Sequence, residues 1–395
     1  MASGSTQEVF ATFLRLGLTS FGGPIAHLGF FHRELVERRQ WVTESQYAQL
    51  LGLCQFLPGP ASSQLGFALG MLRAGWGGAI AAFLAFTLPS ALLLFGFATL
   101  LPQLSGPTGT AAIHGLKLVA LAVVAHGVLG MARQLCPDAQ RAGIATLATV
   151  IILISGQAWM QLLTVIMGGL AGLFLCRDAT VGKDADLPLP HGPRIGWVLL
   201  GVFLLLLVGL PLLSGTTGAV ALFEAFYRAG ALVFGGGHVV LPLLEESVVG
   251  TGWISEDVFL AGYGAAQAVP GPMFSLAAFL GAAMPGNVGG MTGASLALIA
   301  VFLPGFLLLS GILPLWRMLA RHPAAARTIA GVNAAVVGLL GAALYDPVWT
   351  SAIITPADVA IALVGFTMIS AWRLSVIYVV IWCVLASILR TLILP

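Results

Sequence analysis

Nine stretches of this chain, roughly 77–101, 112–132, 142–157, 159–176, 195–213, 289–316, 326–345, 355–371 and 374–393, are apolar over most or all of the length a helix needs to cross a bilayer. A helix climbs 1.5 Å per residue, so about 20 residues cover the ~30 Å hydrocarbon core, where every backbone polar group must be satisfied inside its own helix. The fold class expected is therefore an all-α polytopic membrane protein. Charge agrees: 17 Lys and Arg with 15 Asp and Glu make 8% of 395 residues, against ~25% in ordinary soluble domains. Fifty glycines without a G-X-Y period point to close-packed membrane helices. A net charge of +2 suggests no nucleic acid partner. Cys54, Cys136, Cys176 and Cys383 have no C-x-x-C spacing and read as buried apolar side chains. Residues 1–9 carry Glu8 and no basic run, so they do not resemble a cleaved signal peptide.

Four further apolar segments, near 10–31, 46–71, 222–244 and 258–283, are interrupted by Phe21-Gly22-Gly23-Pro24, Pro58-Gly59-Pro60, Phe234-Gly235-Gly236-Gly237 and Pro270-Gly271-Pro272. Gly and Pro there predict broken or re-entrant helices. Arg73, Arg133, Arg141, Arg177, Lys183, Arg194, Arg317, Arg321, Arg327 and Arg373 fall on one side when the nine spans alternate, and that side is cytoplasmic by the positive-inside rule. The count closes if each broken pair crosses an even number of times. Arg33, Arg38 and Arg39 favour hairpins that dip in and return, with the amino terminus inside and the carboxyl terminus outside. The expected location is the inner (plasma) membrane, with lipid as a partner.

Sliding the chain on itself by about 212 residues aligns Arg15 with Arg228, Phe21-Gly22-Gly23 with Phe234-Gly235-Gly236, Trp41 with Trp253, and Gln55 with Gln267. Pro58-Gly59-Pro60 then meets Pro270-Gly271-Pro272, Ser63 meets Ser275, Leu88-Pro89 meets Leu303-Pro304, and Gly115 meets Gly331. The predicted organisation is a first membrane repeat over 1–176, a polar cytoplasmic linker over 177–194, a connecting helix over 195–213 and a second repeat over 214–395. The one extra crossing turns the second copy over, giving two inverted-topology repeats with breaks near the bilayer midplane. Charge supports the inversion. The loop after the first break has Arg33, Arg38 and Arg39, and its counterpart has Glu245, Glu246, Glu256 and Asp257.

At Phe13-Leu-Arg15-Leu-Gly17 with Ser20-Phe21-Gly22-Gly23-Pro24, at Gln55-Phe-Leu-Pro58-Gly59-Pro60, and at their second-half relatives, the chain resembles the chromate ion transporter family in its long, two-domain form. The resemblance covers nearly the whole sequence and implies two homologous halves of opposite topology that export chromate, with sulfate as its chemical look-alike. Gly237 stands where the first half has Pro24, so the two turns are not equivalent.

A helix N-terminus offers unpaired N–H groups and about half a positive charge, so half-helices starting at membrane depth can hold an anion. Residues 13–22 climb ~15 Å before the first break, which places it near the midplane. Candidate substrate-binding residues are accordingly Ser20, Gly22, Gly23, Pro24, Pro58, Gly59, Pro60, Gly235, Gly236, Gly237, Pro270, Gly271 and Pro272. The competing reading is that they only kink packed helices. Arg15 and Arg228 can grip two oxygens of an oxyanion, or snorkel to the headgroups. Lys117 and its repeat partner Asn333 are weaker candidates of the same kind. Gln55, Gln267, Ser62, Ser63 and Ser275 can donate to the anion, or satisfy carbonyls freed by proline. His27 and His238 follow the first break of each half and are candidates for a proton relay, with packing as the alternative. Glu224 and Asp346 look isolated and wet.

No nucleophile with a base, H-E-x-x-H, Walker loop or Cys/His ligand set appears, so the expectation is no enzyme, no cofactor and no metal. Two classes stay open, a secondary transporter and an anion channel. The cargo expected is chromate or a sulfate-like oxyanion. A homodimer is left open, and oxyanion preference is not readable from spacing.

Overall fold

The computed structural model describes residues 4–20, 23–103, 106–155, 159–177, 187, 191–213, 215, 218–233, 240–316 and 323–393. Among these, regular structure is helical, without a strand. Gly22, Gly235, Gly236, Gly237 and His238 lie outside the described residues. Five helices are long and apolar enough to cross a membrane, Ala61–Gln103, Pro107–Leu135, Pro193–Leu213, Gly290–Leu315 and Ala326–Ala352, and shorter apolar helices accompany them. All nine expected spans coincide with helices. The chain is an all-α polytopic membrane protein.

The first half starts with α1 (Thr6–Thr19), whose Ser5 cap accepts from the Glu8 N–H at 3.1 Å. Its buried stripe Val9, Thr12, Phe13, Leu16 and Gly17 has helical spacing and turns to α4. Gly17 makes that approach close, since a Cβ there would sit 2.7 Å from the Phe86 carbonyl. Then come α2 (Gly23–Phe31), a π-helical stretch over His32–Arg38, and α3 (Glu44–Phe56), started by a Thr43–Gln46 capping box. α4 (Ala61–Leu100) leaves helical geometry at Ala74 and Gly75. Its limbs fold back on one another there, with Gly70 against the Gly78 backbone. α5 (Pro107–Leu135), α6 (Ala139–Ser155) and α7 (Trp159–Leu175) follow, and α8 (Pro193–Leu213) leads into the second half.

That half runs α9 (Ala219–Leu232), α10 (Val240–Val248), α11 (Glu256–Ala268), α12 (Leu276–Ala283), α13 (Gly290–Ile312), α14 (Pro323–Ala343), α15 (Pro356–Ser370) and α16 (Val376–Ile393). Glycines recur at matching crossings. Gly281 packs on Gly293 as Gly70 does on Gly78, and Gly230 meets the Val301 carbonyl as Gly17 meets Phe86. Gly115 and Gly331, aligned by sequence, each seat a helix of the other half: Gly115 lies against Cys383 and Val384 of α16, and Gly331 against Gly168 and Gly172 of α7. Phe67 of α4 stacks on Phe306 of α13 at a centroid distance of 4.3 Å and Phe83 meets the same ring edge-on at 5.0 Å, so an aromatic cluster joins the halves.

Charged side chains form two clusters among the described residues. In one, Glu8 binds Arg73 (3.1 Å) and reaches Arg39 (4.0 Å), while Arg73 lies 5.2 Å from the Trp41 ring. In the other, Lys117 pairs with Asp257, and buried Asp358 takes His114 and Arg390. Cys54, Cys176 and Cys383 are buried as expected, whereas Cys136 is only half-buried; all four are free.

Candidate functional site

Each Pro-Gly-Pro turn is held by the other half. The Gly59 N–H donates to the Val233 carbonyl at 2.7 Å, and the Gly271 N–H donates to the Ser20 carbonyl at 3.0 Å. Ser20 and Val233 are the C-caps of α1 and α9, so these are the same bond made twice with the halves exchanged. Gly59 and Gly271 have φ of +124° and +106°, a region that side-chain-bearing residues avoid, and that conformation turns each N–H across the junction. A Cβ at Gly59 would lie 3.0 Å from the Gly305 Cα, and one at Gly271 would lie 2.9 Å from the Ser90 Oγ. Ser90 and Gly305 both follow the Leu-Pro pair of a long helix, Leu88-Pro89 in α4 and Leu303-Pro304 in α13. Both Pro-Gly-Pro turns and the C-caps of α1 and α9 thus border one junction.

Polar groups accumulate there without partners. Ser20 is fully buried and its Oγ has no hydrogen bond among the described residues; the same holds for the Ser63 Oγ, Gln64 Oε1 and Thr87 Oγ1. His27, also fully buried, sits edge-on to Phe86 at 5.2 Å, with its Nε2 3.2 Å from the Ser20 carbonyl. A carbonyl only accepts, so Nε2 carries the proton of that bond, and the Nδ1 is a buried acceptor with no partner among the described residues. Ser275 and Ser90 share a 2.6 Å hydrogen bond. α4 begins at Ala61 beside Pro60, and its first-turn N–H groups, those of Ala61, Ser62 and Ser63, have no acceptor in their own helix. Several neutral donors and one neutral imidazole therefore surround this point, with no Lys or Arg placed among them in the described residues.

The other candidates divide. Gly23 opens α2, which Pro24 continues, while Pro58, Pro60, Pro270 and Pro272 frame the two turns. Gln55 is exposed, whereas its counterpart Gln267 is buried and donates to the Met273 Sδ at 3.0 Å. The role expected of Gln55 falls to Gln64, which the sequence reading missed: its Nε2 donates to the Pro58 carbonyl at 2.9 Å and to the Gly305 carbonyl at 3.0 Å, clamping one turn to the other half. Its place in the first turn after Pro-Gly-Pro was the available signal. Asn333 lies half-buried on α14 with its Oδ1 unpartnered among the described residues.

The cations lie elsewhere. Lys117 is ion-paired with Asp257, and Arg228 takes Glu224 at 3.0 Å one helical turn away, so Glu224 is not isolated. Asp346 accepts from the Thr350 hydroxyl at 3.2 Å. Arg15 is exposed on a cleft of about 250 Å³ lined by Thr12, Thr19, Phe30, Arg33, Glu34 and Arg38. Burial would raise the Glu34 carboxyl, but hydrogen bonds from Arg39 and then Arg38 outweigh it and hold the group below its ordinary value.

The family model described as "Chromate transporter" matches residues 7–173 and 220–388. The "Probable chromate transport protein" of Synechococcus elongatus is 31% identical over 390 residues, 94% of this chain and 91% of its own length. The "Chromate transport protein" of Pseudomonas aeruginosa is 27% identical over 397 residues, 97% and 92% of the two chains, and that of Cupriavidus metallidurans 28% over 345 residues, 86% and 81%. No solved structure matches. Since one family model fits both halves and relatives of that kind run nearly end to end with it, this chain belongs to the chromate transporter family.

Proposed function

We propose that the protein is a secondary transporter that exports chromate across the inner membrane, binding the dianion where the two Pro-Gly-Pro turns meet the ends of α1 and α9. The observation carrying this reading is the exchanged pair of bonds, Gly59 to Val233 and Gly271 to Ser20, which brings both Pro-Gly-Pro turns and the start of α4 to one buried, underbonded place. Helix N-termini and the Ser20, Ser63 and Thr87 hydroxyls can replace part of the hydration shell of a tetrahedral dianion, each helix end contributing about 0.3–1 kcal/mol and up to ~2 when partly buried. His27 Nδ1 can take one proton as the anion arrives.

The halves are read as an inverted repeat, an interpretation supported by the twofold family match and by the paired glycine crossings. The amino-terminal end, with Arg38, Arg39 and Arg73, is read as cytoplasmic, and the end with Asp257 and Asp358 as external. A negative interior pushes a dianion outward by about 4.6 kcal/mol at 100 mV, so export is electrically downhill.

Radiolabelled chromate uptake into everted vesicles tests this. Saturable uptake that excess sulfate competes away, and that Gly59→Leu abolishes while insertion persists, is expected. Unsaturable current would make the protein a channel, and full uptake by Gly59→Leu would remove the site from the junction.

A further inference from the structure

Among the described residues the junction has no Lys or Arg to attract a dianion from water, yet a cleft with a surplus of cations opens beside α1. Arg15 projects from α1, and Arg33 and Arg38 from the π-helical stretch, around a space of about 250 Å³. Glu34 is the acid in its lining, and it is already engaged by Arg38 at 3.0 Å and by Arg39 at 2.6 Å. Arg33 lies 5.1 Å over the Phe30 ring, and among the described residues neither Arg15 nor Arg33 has a carboxylate partner. The lining therefore carries three positive charges against one negative, a surplus of two, which one dianion neutralises. The Thr12 and Thr19 hydroxyls donate to the carbonyls of Glu8 and Arg15, both at 2.8 Å, so the donors available to a guest are guanidinium N–H groups, the type that grips two oxygens at once.

Among the described residues, the matching positions of the second half do not carry this surplus. Arg228, which aligns with Arg15, is closed off by Glu224, and the stretch matching Arg33–Arg38 holds Glu245 and Glu246. α1, which carries Arg15, ends at Ser20 of the junction.

We propose that the Arg15–Arg33–Arg38 cleft is a loading site for tetrahedral oxyanions, raising their concentration at one face and making the two faces unequal. The proposal rests on the transport reading only for the identity of the cargo. Two sources can supply this chemistry, a free oxyanion or the phosphate of an anionic lipid headgroup. The free dianion is the occupant expected.

The test uses the full chain in proteoliposomes of phosphatidylcholine alone or mixed with phosphatidylglycerol. The Arg33→Gln/Arg38→Gln double variant should raise the chromate KM about tenfold at low salt, leave kcat unchanged and flatten the dependence of KM on ionic strength. The Arg33→Lys/Arg38→Lys variant, which keeps the charge, should recover most of the loss. If phosphatidylglycerol alone raises the wild-type KM to the variant's value, the headgroup occupies the cleft and the free-anion form of the proposal is overturned. An unchanged KM and salt dependence, or a loss confined to kcat, overturns it entirely. Should the wild type move no chromate, the transport reading falls by itself. Calorimetric titration of sulfate and inorganic phosphate into both proteins then still decides: heat lost in the double variant supports the cleft, and equal heat refutes it.

Discussion

A buried hydroxyl without a partner costs a fold about 1–3 kcal/mol unless something else uses it. Ser20 is such a group, which separates its two roles experimentally. Ser20→Ala should leave thermal stability unchanged or higher while chromate flux falls several-fold; lower stability with normal flux would make its hydroxyl structural. His32 gives a pH test in the loop nearby, where it lies 2.7 Å from Glu44 and 3.1 Å from Glu37. The hydrogen bond to Glu44 raises its pKa above the ordinary 6.5, burial opposes this, and the charges of Glu44 and Glu37 add to the rise. With the folded value above the unfolded one, the stabilisation is complete below pH 6.5 and is lost as pH climbs through the raised value. Hydrogen-exchange protection across residues 31–45, taken relative to the intrinsic rate at each pH, should fall over that interval in the wild type and stay flat in His32→Gln. Residue identity alone could not separate Gln55 from Gln64, since only the turn of α4 shows which one faces the junction.

Elements meet here through glycine, because without a hydrophobic drive between helices in lipid, close backbone approach is what holds them. Gly331→Leu should push α14 away from α7 and lower thermal stability markedly, since its Cβ would fall on the Gly168 carbonyl. Gly143→Leu, on α6 with open space around it, should change little. Equal melting of both variants would remove the crossing argument. The alignment of Gly115 with Gly331 was visible in the sequence, and both lie at close helix crossings. That each crossing joins opposite halves was not visible, because sequence offset does not say which neighbour a helix face meets. The two Pro-Gly-Pro turns were legible too, down to Gly59 and Gly271, while Gly22 and Gly235–Gly237 lie outside the described residues.

For the whole molecule, the reading of two opposed halves makes a prediction about sidedness. Single cysteines in 31–45 should label from the cytoplasm and those in 245–257 from outside; labelling of both from one side would end the inverted arrangement. The driving force is the second global test. In everted vesicles, an interior-positive potential set with potassium and valinomycin should draw chromate in without a pH gradient. Uptake that ignores the potential and follows only an imposed pH gradient would make proton coupling obligatory, with His27 the first residue to substitute.

Hydropathy, charge bias and the internal match are properties of the linear chain, so the sequence by itself determined the all-helical membrane class, the positions of the nine apolar spans and the family. The two Pro-Gly-Pro turns were legible for the same reason, since Gly and Pro act on the backbone locally. Which polar groups end up together depends on how helix faces rotate against one another, and only the tertiary structure decided that. It assigned Arg228 and Lys117 to carboxylate partners, opened Arg15 onto an arginine cleft, and left Ser20, His27, Ser63 and Thr87 underbonded where the halves interlock. A side chain's chemistry is written in the sequence. Its partners are set by distances that exist only after the two halves have packed.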